Sequence, residues 1–222
     1  MTPRRLAIFD CDGTLVDSQA DIALAMEAAF AAYDLRAPPR TAIRRIVGLS
    51  LGEAIRQLAP DLGDDTAIAL VQAYKDAFRA RRAAGMVEEP LYDGIAALVA
   101  GLDAAGWLLG VATGKSDRGL AHCLSHHGLT RHFVTLQTAD RHPSKPDPSM
   151  IEACLDATGA ARAQTVMIGD TAYDMAMAVN AGVRAIGVDW GYHHPHELVS
   201  AGAAAIAESV GELRILLKGL EG

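Results

Sequence analysis

The chain has 222 residues, 50% of them hydrophobic and 5% aromatic, enough for one substantial domain or one domain carrying a smaller insertion, and cramped for two unrelated ones. Its formal charge of -7 comes without any long basic stripe, which argues against nonspecific nucleic-acid binding, while local charge still permits a small anionic substrate. No apolar run reaches the length of a membrane span or a signal peptide, so the expected address is the cytoplasm.

In chain order, the apolar run at 6–9 predicts a first buried strand. From 17 to 85 no strand pattern follows; Ile22, Met26, Ala29, Phe30 and Tyr33 share one helical face, as do Val71, Tyr74, Ala77 and Phe78. Pro38-Pro39 and Gly48 punctuate this stretch, and 85–90 returns to the main body. It is read as an all-helical insertion, residues 17–85, leaving 1–16 and 86–222 as the core. Helical periodicity at 94–105, 118–127, 148–158 and 173–181 then alternates with strands at 107–112, 165–168 and 184–188. Residues 133–137 and 203–207 add peripheral strands. The expected class is α/β, a doubly wound parallel sheet with an inserted helical domain. Cys11, Cys123 and Cys154 are widely spaced without a Cys-x-x-Cys pair and are expected as free thiols.

Polar residues collect at the strand ends, where doubly wound folds bind ligands. The first strand runs into Asp10-Cys11-Asp12-Gly13-Thr14. In extended geometry Asp10 and Asp12 project the same way, and two adjacent carboxylates require a hard divalent cation or a shared proton. Asp-x-Asp-Gly alone is equally a turn with solvated aspartates. The strand at 107–112 delivers Thr113 and Gly114, whose hydroxyl and amides suit phosphate oxygens. Lys145, in a Lys-Pro-Asp-Pro turn, supplies positive charge, and the strand at 165–168 delivers Asp170, an oxygen ligand for magnesium, with Asp174 behind it. Any one of these is commonly a cap or loop residue; their joint occurrence at strand ends selects phosphate chemistry.

The run from Ile8 to Ser18, then Thr113, Lys145-Pro146 and Gly169-Asp170 with Asp174, resembles the haloacid dehalogenase superfamily in its phosphoglycolate phosphatase-like branch, over essentially the whole chain. The resemblance implies a Rossmann-like core, the insertion as a helical cap, and a Mg2+-dependent phosphatase acting on a small phosphorylated metabolite. It implies Asp10 as nucleophile forming an aspartyl phosphate and Asp12 as acid and then base. Thr113 and Gly114 would hold phosphate oxygens, and Lys145 would neutralise charge. Magnesium would be held by Asp10, the backbone carbonyl of Asp12, and Asp170, with Asp174 supporting the metal's water or Lys145. Cys11 departs from the hydrophobic residue usual there, and its side chain is expected to point away from the aspartates. 2-Phosphoglycolate is the first implied substrate, ahead of sugar phosphates, pyrophosphate and nucleotide monophosphates. Oligomeric state stays open.

Other readings are weaker. Gly114-Lys115-Ser116 is not a P-loop, because that motif needs glycine where Leu109 stands. A dehalogenase needs neither Asp12 nor Asp170. A phosphomutase keeps the same catalytic residues and remains an alternative, whereas a noncatalytic binder is expected to have lost one. His193-His194-Pro195-His196 is expected as a solvated loop, and His122, His126 and His127 as helix surface. Arg79, Arg81 and Arg82 read as a solvated helix face, while Arg44 or Arg45, close to Gly48-Leu49-Ser50, is expected to read a substrate carboxylate as the cap closes.

Overall fold

The computed structural model describes residues 4–219. Six strands, β1 (Leu6–Phe9), β2 (Leu108–Thr113), β3 (Thr135–Thr138), β4 (Thr165–Gly169), β5 (Arg184–Val188) and β6 (Ala205–Ala207), form one parallel sheet in the order β3-β2-β1-β4-β5-β6. Central β1 is Leu-Ala-Ile-Phe with no exposed surface, as a strand covered on both faces requires. Ala7 and Phe9 face one apolar layer, formed with α5 (Ile95–Ala104), α6 (Asp117–His126) and α10 (Val210–Lys218). Leu6 and Ile8 face the other, formed with α7 (Ser149–Thr158), α8 (Ala172–Ala181) and α9 (Pro195–Ser200). Helices on both faces of a parallel sheet make this the doubly wound α/β class expected.

The two runs expected as peripheral strands are the sheet edges, β3 and β6, each beginning two residues later than the apolar pattern suggests. Helices α9 and α10 are absent from the periodicity reading. Local chemistry marks both: Pro195 opens α9, and Ser209 Oγ accepts from Glu212 N at 3.2 Å at the start of α10.

Between β1 and α5 every named element is a helix: α1 (Gln19–Ala31), α2 (Arg40–Arg45), α3 (Leu51–Leu58) and α4 (Asp64–Ala83). Ile22, Met26, Ala29 and Phe30 bury one face of α1 in a cluster with Ile43, Ile55 and Leu70. Tyr33 does not join that face; α1 ends at Ala31, the chain turns at Asp34 with φ 54, and Tyr33 is 45% exposed. The arginine run is also not a merely solvated face. Arg81 pairs with buried Asp21 of α1 at 2.6 Å and Arg82 with Glu89 at 2.7 Å, while Arg79 stays on the surface with Asp76. Among the described residues no helix is long and apolar enough to cross a membrane.

Candidate active site

Register places the site. Phe9 of β1 lies opposite Val111 of β2 and Ile168 of β4, so Asp10, Thr113 and Asp170 leave three adjacent strands along one edge. The chain turns sharply after Asp12. Gly13 has φ 87, a backbone region costly for residues with a Cβ, and a Cβ there would overlap the Asp170 carboxylate. Thr14 Oγ1, just beyond, donates to Asp170 Oδ1 at 2.7 Å, and Tyr192 N donates to Asp170 Oδ2 at 2.9 Å.

Asp10, Asp170 and Asp174 are fully buried, and each offers a carboxylate oxygen within 4.8 Å of the others. Among the described residues a single cation faces them: buried Lys145 Nζ lies 2.9 Å from Asp10 Oδ1 and 2.7 Å from Asp174 Oδ1. Burial pushes the Asp10 carboxyl up to about 7, and burial followed by the neighbouring Asp10 and Asp174 charges pushes Asp170 well above the usual range. Burial acts to lower the pKa of Lys145, but Asp10 and Asp174 outweigh it and hold the ammonium above its ordinary value. Asp10 Oδ2 accepts no hydrogen bond. An orphaned carboxylate oxygen among under-compensated carboxylates suits a hard divalent cation, which takes oxygen ligands and removes the like-charge cost.

Asp174 is committed elsewhere. Its Oδ1 meets Lys145, and its Oδ2 accepts from Thr171 N at 3.1 Å and Thr171 Oγ1 at 2.6 Å, in the capping box that starts α8. The contact with Lys145 is one of the two supports expected of Asp174.

The Asp12 side chain meets a different lysine from the one at Asp10. Its Oδ1 accepts from Ser18 Oγ and from Lys115 Nζ, the latter at 2.5 Å. Lys115 also donates to Glu89 Oε1 at 2.8 Å, and Glu89 in turn meets Arg82 of α4. Each of the two aspartates thus has a lysine beside it, Lys145 at Asp10 and Lys115 at Asp12. Lys115 stands in the Gly114-Lys115-Ser116 run but is not among the site residues expected from the sequence. Its position directly after Thr113-Gly114 at a strand end was the available signal.

Thr113 is buried, and its Oγ1 accepts from Lys115 N at 3.2 Å, which leaves its proton to donate. A side chain at 114 would overlap the Leu49 and Gly48 carbonyls, so glycine there permits the helical insertion to close on the sheet edge. Cys11 points into the apolar layer, with its Sγ 3.8 Å from Cys123 Sγ; all three cysteines are free thiols.

A cavity of about 310 Å³ lies between the insertion and this edge. Asp12, Gly114 and Lys115 line it on the core side; Val47, Leu49, Tyr74 and Lys75 line it from the insertion. Arg44 and Arg45 are not on it. Arg44 Nη2 donates to Gly191 O at 2.6 Å and Arg45 pairs with Glu197 at 2.5 Å, so both expected carboxylate readers are held by the core instead. The solvated-loop expectation also fails for His193, which is 5% exposed: its Nδ1 accepts from Ala172 N at 3.1 Å and its Nε2 donates to Arg45 O at 3.0 Å. Burial lowers its pKa. His194 and His196 are exposed, as are His122 and His126, and His127 bonds the Glu89 carbonyl at 2.7 Å.

Residues 7–188 match the family described as haloacid dehalogenase-like hydrolase. The chain is 37% identical to a protein of Dickeya dadantii (strain 3937) named "Probable phosphatase IndB", over 96% of this chain and 95% of that one. It is 28% identical to a phosphoglycolate phosphatase of Vibrio parahaemolyticus, over 94% of both chains. Among solved structures, a "predicted phosphatase" from Clostridium acetobutylicum superposes with a TM-score of 0.88 at 29% identity, covering 98% of this chain and 100% of that one. With the family match spanning most of the chain and the sheet edge built as described, the protein belongs to the haloacid dehalogenase-like hydrolase family.

Proposed function

We propose that the protein is a magnesium-dependent phosphatase that hydrolyses a small phosphomonoester in two steps through an aspartyl phosphate at Asp10. Residues 17–85 would act as a helical cap domain on a core of 1–16 and 86–222, of which 1–3 and 220–222 lie outside the described residues. One observation carries the reading: Asp10 is buried beside Lys145 with a free oxygen, while Asp12 stands apart at the cavity with its own lysine.

In the first step Asp10 attacks phosphorus in line and the ester P–O bond breaks. Asp12, protonated for this step, gives its proton to the departing alkoxide. In the second step Asp12 takes a proton from water as that water attacks phosphorus, and the bond to Asp10 breaks to release phosphate. The Thr113 hydroxyl and Gly114 amide would hold phosphoryl oxygens, and Lys145, oriented by Asp174, would offset charge on Asp10 and the transferring group. Magnesium, held by the Asp10 carboxylate, the Asp12 carbonyl and Asp170, would supply positive charge to the phosphoryl oxygens. Asp10 has no exposed surface in this conformation; on this reading the cap opens to admit substrate and closes to exclude water.

2-Phosphoglycolate leads the candidate substrates on two grounds: the name of the Vibrio relative, and Lys75 on the cavity, a cation suited to a second anionic group. The test is phosphate release from a panel led by 2-phosphoglycolate and extended to sugar, nucleotide and aromatic phosphates. Release that stops with EDTA and returns with magnesium is expected. If folded, magnesium-loaded protein releases phosphate from none of them, the hydrolase reading falls and a mutase or noncatalytic binder takes its place.

A further inference from the structure

We infer that Arg44, on the helical insertion, is a positioning residue for the metal site, acting on Asp170 through residues 190–193; the inference rests on the reading that Asp170 holds magnesium. The 190–193 segment lies between two surfaces. On its inner side it supplies or secures every hydrogen bond to the Asp170 carboxylate. Tyr192 N donates to Oδ2 at 2.9 Å, while Trp190 Nε1 donates at 3.2 Å to the carbonyl of Thr14, whose hydroxyl is the donor to Oδ1. His193 N donates to the Asp170 carbonyl at 3.3 Å, and a Cβ on Gly191 would overlap the Asp170 side chain.

On its outer side the same segment is held by the insertion. Arg44 Nη2 donates to Gly191 O at 2.6 Å, and its guanidinium lies 5.7 Å from the centre of the Tyr192 ring. That ring packs in the apolar cluster of α1 to α4, its hydroxyl accepts from Ser18 N at 3.1 Å, and His193 Nε2 donates to Arg45 O at 3.0 Å. Arg44 Nε is buried without a partner, so the guanidinium gives up water for this docked arrangement. When the insertion swings away, the Arg44 and Arg45 contacts part from the segment and Asp170 loses the backing that aims its two oxygens. Docking and metal binding are therefore coupled, and linkage makes the coupling reciprocal: the factor by which docking tightens the metal is the factor by which the metal tightens docking.

The test is calorimetric titration of magnesium into substrate-free protein, so the readout is independent of turnover. Arg44→Met is expected to weaken magnesium about 5- to 50-fold, within the usual range for coupled sites. Arg44→Lys, which keeps a cationic donor for Gly191 O, is expected to recover part of the loss. Arg45→Met is the control. It removes a surface ion pair to Glu197, of a kind worth little, and is expected to change magnesium affinity less than about twofold. Unchanged affinity in Arg44→Met, or equal weakening in Arg45→Met, overturns the inference. Wild-type binding that Asp170→Asn leaves intact, or no binding at all, overturns the metal-site reading and the inference with it. Should Arg44→Met fold poorly, Tyr192→Phe takes its place. It keeps the ring beside Arg44 and loses the hydroxyl that meets Ser18 and Asp17, and here too weaker binding is expected and unchanged binding overturns the inference.

Discussion

Replacing Asp10 with Asn is expected to lower turnover of any accepted phosphoester by at least about 10^4-fold while the protein stays folded. An amide cannot form the acyl phosphate, and no neighbouring carboxylate is free to substitute: Asp174 is bound by Lys145 and Thr171, and Asp170 by Thr14 and Tyr192. The fold should tolerate the change, because Lys145 keeps its 2.7 Å contact with Asp174 and the buried cluster loses one negative charge. Stability should report the same charge. Burial raises the Asp10 carboxyl to about 7 in the metal-free protein, above its value in an unfolded chain. A carboxyl raised in this way contributes stability that is complete below the unfolded pKa and is lost as pH rises through about 7. Asn cannot ionise. In EDTA, the melting temperature of Asp10→Asn should therefore fall less between pH 4 and pH 8 than that of the wild type. Retained turnover, or an unchanged slope with pH, would count against the role given to Asp10.

The second large effect concerns Asp12. Asp12→Asn is expected to slow alkyl phosphates such as 2-phosphoglycolate by about 10^2- to 10^4-fold, the range for loss of a positioned general acid or base. With p-nitrophenyl phosphate the pattern should change. Nitrophenolate leaves without a proton, so the first step is spared, while attack of water on the aspartyl phosphate still lacks its base. Stopped-flow absorbance should then show a burst of about one nitrophenolate per enzyme followed by slow turnover. An equal loss on both substrates with no burst would remove the acid role. Asn also leaves Lys115 with Glu89 as its remaining carboxylate, which keeps that buried ammonium paired.

Much of this arrangement is legible in the residue order, for a physical reason. Strands covered on both faces read as short apolar runs, so β1 and β5 begin and end where the runs do. In such a fold the first polar residue after a run lands on the ligand-binding edge, which is how Asp10, Thr113 and Asp170 are found without coordinates. Trp107 shows the limit of the pattern. It is apolar and 3% exposed, yet it precedes β2, its amide bonded to Leu102 of the preceding helix.

What local pattern does not encode is pairing at long range. Lys115 reaches Asp12 across 103 positions and Arg44 reaches Gly191 across 147, and neither contact has a periodicity to announce it. His193 hides for the same cause: an imidazole between a strand end and a helix start looks solvated until the insertion supplies the Arg45 carbonyl above it. Arg44 and Arg45 invite a substrate-reading role because they are cations beside a phosphate site. Their partners, Gly191 in a loop and Glu197 in α9, lie far away in the sequence.

The central claim is that phosphate rests on Asp10 between substrate and water, and the stereochemical course at phosphorus tests it most directly. The preferred ester, made as its phosphorothioate with phosphorus chiral through sulfur and two oxygen isotopes, would be turned over in water carrying the third isotope, and the configuration of the product thiophosphate read by phosphorus NMR. Two in-line displacements, one by Asp10 and one by water, predict overall retention. Inversion would mean a single direct attack by water, and would contradict the account whatever the substrate proves to be.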